Sequence, residues 1–316
     1  MISLRYHLIS VAVVFLALAV GIALGSTSVG EVITAGLAGH TRALDQQVND
    51  LRADRDALSA KLAGTDRFAA SVGPLAVRGQ LDGRSVVLVT TEDAEPAERD
   101  ELARLLASAG ASVTGEVVLT NAFTDPARSE QLRALVFRLL PAAARLPVAA
   151  DSGSLAGGLL ASLLLVNRDG QEPRATPEET TRVLTGLVHD GFVRPSQGLR
   201  PAQLAVLLTG SAYGRNAAAD RAGVLARVAG VLDRSGAGAV LAGRTGSAEA
   251  TGPVGVVRAD ASAAAGLSTV DHVDTAVGRV ATVLALREQA GGGSGQYGLA
   301  GTAQAPAPDP VVVGAG

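Results

Sequence analysis

The chain has no cysteine, no tryptophan and a single methionine, at position 1. Without thiols it can form neither a disulfide nor a thiolate metal site. Aromatics make up only 3 % of its 316 residues, so its core must be built from Ala, Val and Leu. Such a chain offers few stacking platforms for bases or sugars. It also lacks an excess of positive charge: 27 Lys and Arg stand against 30 Asp and Glu, a net of −3. With no basic stripe, nucleic acid is excluded as an expected partner.

One long hydrophobic run is present, and it stands at the start. Leu8 to Leu24 reads LISVAVVFLALAVGIAL, with Ser10 its one polar residue. At 1.5 Å per residue this run is about 25 Å long as a helix, and flanking residues bring it to a bilayer core of about 30 Å. A cleavable signal peptide is the rival reading. The run is longer than the usual apolar stretch of such a peptide, and heptads begin soon after it, so a retained anchor over residues 1–25 is expected. Arg5 on the short side places the N-terminus in the cytoplasm and the bulk of the chain outside.

Leu37, Leu44, Leu51 and Leu58 follow at intervals of seven. With these leucines at position d, position a is filled by Thr41, Val48, Arg55 and Leu62. Leucine at d with a polar residue at one a position is a dimer pattern in which the polar residue fixes register. Residues 26–66 are therefore expected to form a homodimeric coiled coil through Leu37, Leu44, Val48, Leu51, Arg55, Leu58 and Leu62. The e and g positions do not give a full set of opposite-charge pairs. The bland alternative is an amphipathic linker helix packed on the distal domain. Gly64, Gly73 and Pro74 are expected to end this helix.

Beyond residue 67 the pattern changes to alternating strands and helices. Arg84–Thr91, Ala111–Leu119, Gln203–Thr209, Ala237–Ala242 and Gly255–Arg258 read as strands. Helices are expected over about 94–109, 129–145, 155–166, 216–234 and 274–289. Another runs from the N-cap Thr176 to His189, with Pro177 at its first position. The fold class is α/β: an N-terminal transmembrane helix and coiled coil, then a mostly parallel doubly wound sheet over 67–290. The Gly- and Pro-rich residues 291–316 read as a flexible tail.

A doubly wound sheet invites a nucleotide, but the first strand ends in Thr90-Thr91-Glu92-Asp93, not in a glycine-rich turn. No G-x-x-x-x-G-K-[ST] loop and no G-x-S-x-G nucleophile elbow occurs. Of the four His residues, only His272 has two carboxylates within two positions, in Ser268-Thr-Val-Asp271-His-Val-Asp274-Thr275. As chemistry, Asp271, His272 and Asp274 would be a metal or acid–base cluster. As structure, they are short polar residues capping the final helix, and adjacent Asp and His side chains point apart, so capping is preferred. No nucleophile–base–orienter set is visible. Hence no catalytic, cofactor or metal residue is assigned, and the protein is not expected to be an enzyme.

Three groups of residues carry a family resemblance. They are Met1-Ile-Ser-Leu-Arg-Tyr-His-Leu-Ile-Ser10; Phe15–Ala19 with Gly21 and Gly25-Ser26; and Ser268-Thr269-Val270-Asp271 followed by Val283–Leu286 and Gly295-Gln-Tyr297-Gly298. Together they resemble the actinobacterial MctB family, named for mycobacterial copper transport protein B, over essentially the whole chain. The resemblance implies an envelope protein that keeps intracellular copper low, proposed as a channel. Some relatives look instead like coiled-coil partners in cell-wall hydrolase control during division. Ser268, Thr269, Asp271, Asp274, Tyr297 and Gly298 then stand as family-motif residues with a structural role. His272 departs from the family, which more usually has Asn there, and is not read as a family ligand. Cu(I) prefers thiolate and thioether ligands, which this chain scarcely supplies. Copper handling is therefore expected to be indirect or to involve an envelope protein partner.

Overall fold

The computed structural model describes residues 4–27, 29–148, 151–167, 172–214 and 217–309, with the backbone alone over 4–5, 26–27 and 29–43. The chain divides into two units, residues 1–65 and 66–316.

The first unit is helical. Helix α1 spans Leu4–Thr27. Its stretch Tyr6–Gly25, 20 residues long and with no part buried, is long and apolar enough to cross a membrane. Helix α2 runs Val29–Ala76, crossing into the second unit. It does not stop at Gly64, Gly73 or Pro74 as the sequence suggests. The last turns pack on the distal domain, where a Cβ at Gly73 would come 2.9 Å from Val280 Cγ2. Glycine permits that close approach, and Pro74 sits only two residues before the end of the helix. Tertiary packing here outweighs the local breaker.

The second unit is built on β1 (Ser85–Thr91), α3 (Pro96–Ser108), β2 (Ser112–Leu119), α4 (Asn121–Thr124), α5 (Ser129–Leu139), α6 (Ser152–Leu164), α7 (Pro177–His189) and β3 (Val193–Pro195). It continues with β4 (Leu204–Thr209), α8 (Ala218–Ser235), β5 (Ala239–Gly243), α9 (Pro253–Ala259), α10 (Ala261–Ala264), β6 (Ser268–Val270), α11 (Ala276–Ala290) and β7 (Gln296–Tyr297). The sheet order is β3-β2-β1-β4-β5-β6-β7. Only β3, at the edge, is antiparallel to its neighbour. The order reverses between β1 and β4, so this is a doubly wound sheet.

Both faces of the central strands are buried, which explains their unbroken apolar runs. Val86 and Leu88 of β1 and Val206 and Leu208 of β4 face a core shared with α3 and α11. Val87, Val89, Ala205 and Leu207 face the opposite core, formed with α5, α6, α7 and α8. The N-cap Thr176 makes a complete capping box with Glu179, as its position before Pro177 leads one to expect.

Three segments differ from the sequence reading. Residues 255–258 lie in α9, not in a strand: Pro253 follows Gly252 at the helix start, a position where proline is preorganised. Helix α5 stops at Leu139 because the next residue but one, Pro141, forces Leu140 out of the helical region. The segment expected as a flexible tail is part of the fold as far as Asp309. Gln296 and Tyr297 are buried in β7, and Gln304 and Gly298 make backbone hydrogen bonds that fold residues 304–305 along it. The glycines turn the chain back toward the sheet, where the backbone groups of 295–305 find partners.

Candidate functional site

Ligands of open α/β sheets gather at the carboxyl ends of the strands. Here the ends of β5, β6 and β7 carry the most deeply buried polar cluster among the described residues, centred on Arg258 of α9 and Asp271 after β6. Both side chains are 3 % exposed, and Arg258 Nη1 donates to Asp271 Oδ2 at 2.6 Å. The guanidinium also donates from Nε to Thr269 Oγ1 at 2.9 Å, from Nη1 to Thr302 Oγ1 at 3.1 Å and from Nη2 to the Tyr297 carbonyl at 2.7 Å. Asp271 in turn accepts the backbone N–H of Leu299 at 2.8 Å and of Ala300 at 3.3 Å. Burial alone would raise the Asp271 carboxyl. The His272 ring, the Leu299 N–H and Arg258 together outweigh it and hold the carboxyl well below the usual carboxylate range.

Most of the expected motif residues meet here. Ser268 Oγ accepts from Gln289 Nε2 at 3.0 Å and from Gly295 N at 3.2 Å, and Thr269 Oγ1 donates to Gln296 Oε1 at 2.6 Å. Gly298 has φ +144°, and a Cβ there would collide with the Asp271 carboxylate. Only glycine lets the chain pass so close to the ion pair. Tyr297 donates its hydroxyl to Glu288 at 2.6 Å. Burial first, and then the Glu288 carboxylate, push that phenol above its ordinary value.

Asp274 is not part of this group. It accepts from the backbone N–H of Thr245 at 2.9 Å and pairs with the Thr245 hydroxyl. The final helix is capped by Thr275, whose hydroxyl accepts from Gly278 N at 3.0 Å. Capping thus falls to one residue of the segment, while Ser268–Val270 forms β6. His272 is 1 % exposed, and its Nδ1 lies 3.5 Å from Asp271 Oδ1, too long for a well-formed hydrogen bond. A cleft of about 370 Å³ opens beside it, lined by Thr245, Glu249, Asp271, His272, Leu299 and Thr302.

A second charged group lies nearer the β1–β4 switch point. Arg244 Nε is 3.0 Å from Glu98 Oε1, and Arg279 pairs with Glu101. Burial raises Glu98 above its ordinary value, against the pull of Arg244. Further along, Glu92 pairs with Arg194, and Arg99 with Glu116 at 2.9 Å. Among the described residues, these four cations are paired with internal carboxylates. The spacing G-x-G-x-x-G does occur, at Gly293, Gly295 and Gly298, but it leads into β7 rather than from a strand into a helix. It is therefore not a phosphate cradle. Among the described residues no group of three or more His, Cys, Asp or Glu is placed to hold a metal ion.

On α2, Leu44, Leu51, Leu58 and Leu62 are 60–68 % exposed and Val48 is 42 % exposed. Arg55 pairs with the adjacent Asp56 at 2.7 Å, both exposed. Leu37 lies outside the described side chains. Sequence reasoning missed Arg258, the hub of the buried cluster, because its segment read as a strand. The Gly252-Pro253 pair was the signal that a helix begins there.

The family description "Copper transport outer membrane protein, MctB" matches residues 1–308. The chain belongs to the MctB family. It is 39 % identical over 303 residues to the copper transporter MctB of Mycobacterium tuberculosis, covering 94 % of this chain and 96 % of that protein. The match to the protein of the same name from Mycobacterium bovis has the same extent. The Mycobacterium leprae protein is 38 % identical over 307 residues, 95 % of this chain and 96 % of its own. MctB is thus named as a copper transport family, not as an enzyme family. These names lend nothing to a role in wall-hydrolase control.

Proposed function

We propose that this protein takes part in copper transport at the cell envelope, as a membrane-anchored, non-enzymatic homodimer. The observation that carries the reading is the family match, which runs from the first residue through the anchor, α2 and the sheet domain to residue 308. The 20-residue apolar stretch Tyr6–Gly25 is the membrane anchor, with the N-terminus cytoplasmic and the sheet domain outside. The exposed leucine stripe of α2 supports self-association, since an isolated helix in water is stabilised mainly by burying such a face.

Copper is cargo here, and one protomer is poorly equipped to hold it. The chain has no Cys, one Met at position 1 and four His. Among the described residues, Arg258, Thr269, Asp271 and the Tyr297 carbonyl bond to each other, and no three His, Cys, Asp or Glu stand together to hold a metal ion. Copper therefore passes through an assembly or an envelope protein partner, which this chain anchors. Deleting the gene in its host should raise copper sensitivity. Re-expressing the full chain should restore tolerance, whereas Leu44→Asp with Leu51→Asp should not. Unchanged copper tolerance in the deletion strain would refute the reading.

A further inference from the structure

We infer that the α2 stripe takes a second copy of this chain in a parallel, in-register pairing, locked by an ion pair between Arg55 of one copy and Asp54 of the other. The inference rests on the homodimer proposed above and adds direction, register and the residues that set them. Two observations point to it.

The first is topological. The anchor lies immediately N-terminal to a helix that runs from Val29 to Ala76. Two copies held in one bilayer both send α2 away from it, so their stripes run in the same direction. An antiparallel pairing over Leu44–Leu62 would set Leu44 of one copy beside Leu62 of the other, which requires opposite directions. Among the described residues the stripe over 44–62 is unpartnered: Leu44, Leu51, Leu58 and Leu62 are each at least 60 % exposed.

The second is charge complementarity. In a parallel pair, each a-position knob fits a hole whose four walls include the g residue that precedes the partner's a position. For Arg55 that residue is Asp54. In register, the two seam guanidiniums are each given a carboxylate by the other copy, and like charge at the centre is neutralised twice. A shift by one heptad instead puts Arg55 against Val48 or Leu62, with Gln47 or Lys61 at the preceding g position. Neither neutralises it. The Arg55–Asp56 contact seen within one chain is between adjacent exposed residues, so it leaves the guanidinium free to be redirected.

The absence of cysteine makes the test clean. Single variants Leu44→Cys, Leu51→Cys and Leu58→Cys, and the outward-facing control Ala53→Cys, are made in the full chain and oxidised in detergent micelles. Each d-position variant should cross-link to itself, and the control should not. In the Leu51→Cys background, Asp54→Lys or Arg55→Glu alone should weaken self-association by about tenfold, and the two together should restore it. Cross-linking only in mixtures of Leu44→Cys with Leu62→Cys would overturn direction and register while leaving the dimer standing. Failure of the charge swap to rescue would overturn the Arg55–Asp54 pairing. A monomeric mass, with no cross-link at any position, would refute the dimer itself.

Discussion

Replacing Arg258 by Met keeps the unbranched apolar stem of the side chain and removes its charge and every donor. The guanidinium makes four hydrogen bonds, to Thr269, Asp271, Thr302 and the Tyr297 carbonyl. Asp271 would be left ionised and 3 % exposed, with two backbone N–H groups as its remaining firm partners. Removing one member of a buried ion pair costs about 3–5 kcal/mol. In a domain of this size each kcal/mol lowers Tm by about 2–4 °C, so a fall of roughly 6–20 °C is expected in calorimetry of the full chain in detergent. The pH dependence gives an independent check. Asp271 is held below its ordinary value of 3.8, so its contribution is present above that value and is lost as pH falls below it. Without Arg258 the carboxyl is less depressed, so Asp271 loses less stability on acidification and the gap between the variant and the unaltered protein narrows as pH falls below 3.8. Asp271→Leu combined with Arg258→Met should cost less than Arg258→Met alone, since no buried charge is then left unpaired. A Tm fall under about 2 °C for the single variant, with no narrowing of that gap in acid, would refute the hub role of Arg258.

Two further substitutions test the Asp271 surroundings and the α7 cap in turn. Gly298→Ala places a methyl group against the Asp271 carboxylate at φ +144° and should destabilise by about 3 kcal/mol or more, with loss of amide-exchange protection at Leu299 and Ala300. Thr176→Ala removes one half of the capping box with Glu179 and should cost about 1 kcal/mol, read as a shift in denaturation midpoint without change of slope.

Elements with strong local signals were legible in the chain. The apolar run, the seven-residue leucine spacing, the buried strands of the sheet centre and the Thr176-Pro177 helix start all depend on neighbours close in sequence. Legibility failed where distant residues decide the outcome. Gly73 and Pro74 look like a terminator, yet α2 continues because Gly73 lets it pack against Val280, two hundred residues away. The glycine-rich stretch after Ala290 looks like a tail, yet Gln296 and Tyr297 complete the sheet because Thr269, Arg258 and Asp271 supply partners for that stretch.

The sequence by itself determined that this chain carries an apolar span, a heptad stripe and an α/β domain, because periodicity and apolar run length are local quantities. It also determined the family. Only the tertiary structure decided that Thr269, Asp271 and Tyr297 converge on Arg258 with Gly298 against Asp271, that Ser268 bonds to Gln289 and Gly295, and that Asp274 stands apart. The physical reason is burial. A carboxylate taken out of water must find a cation and hydrogen-bond donors, and the residues that supply them lie 13 positions before Asp271 and 28 and 29 positions after it.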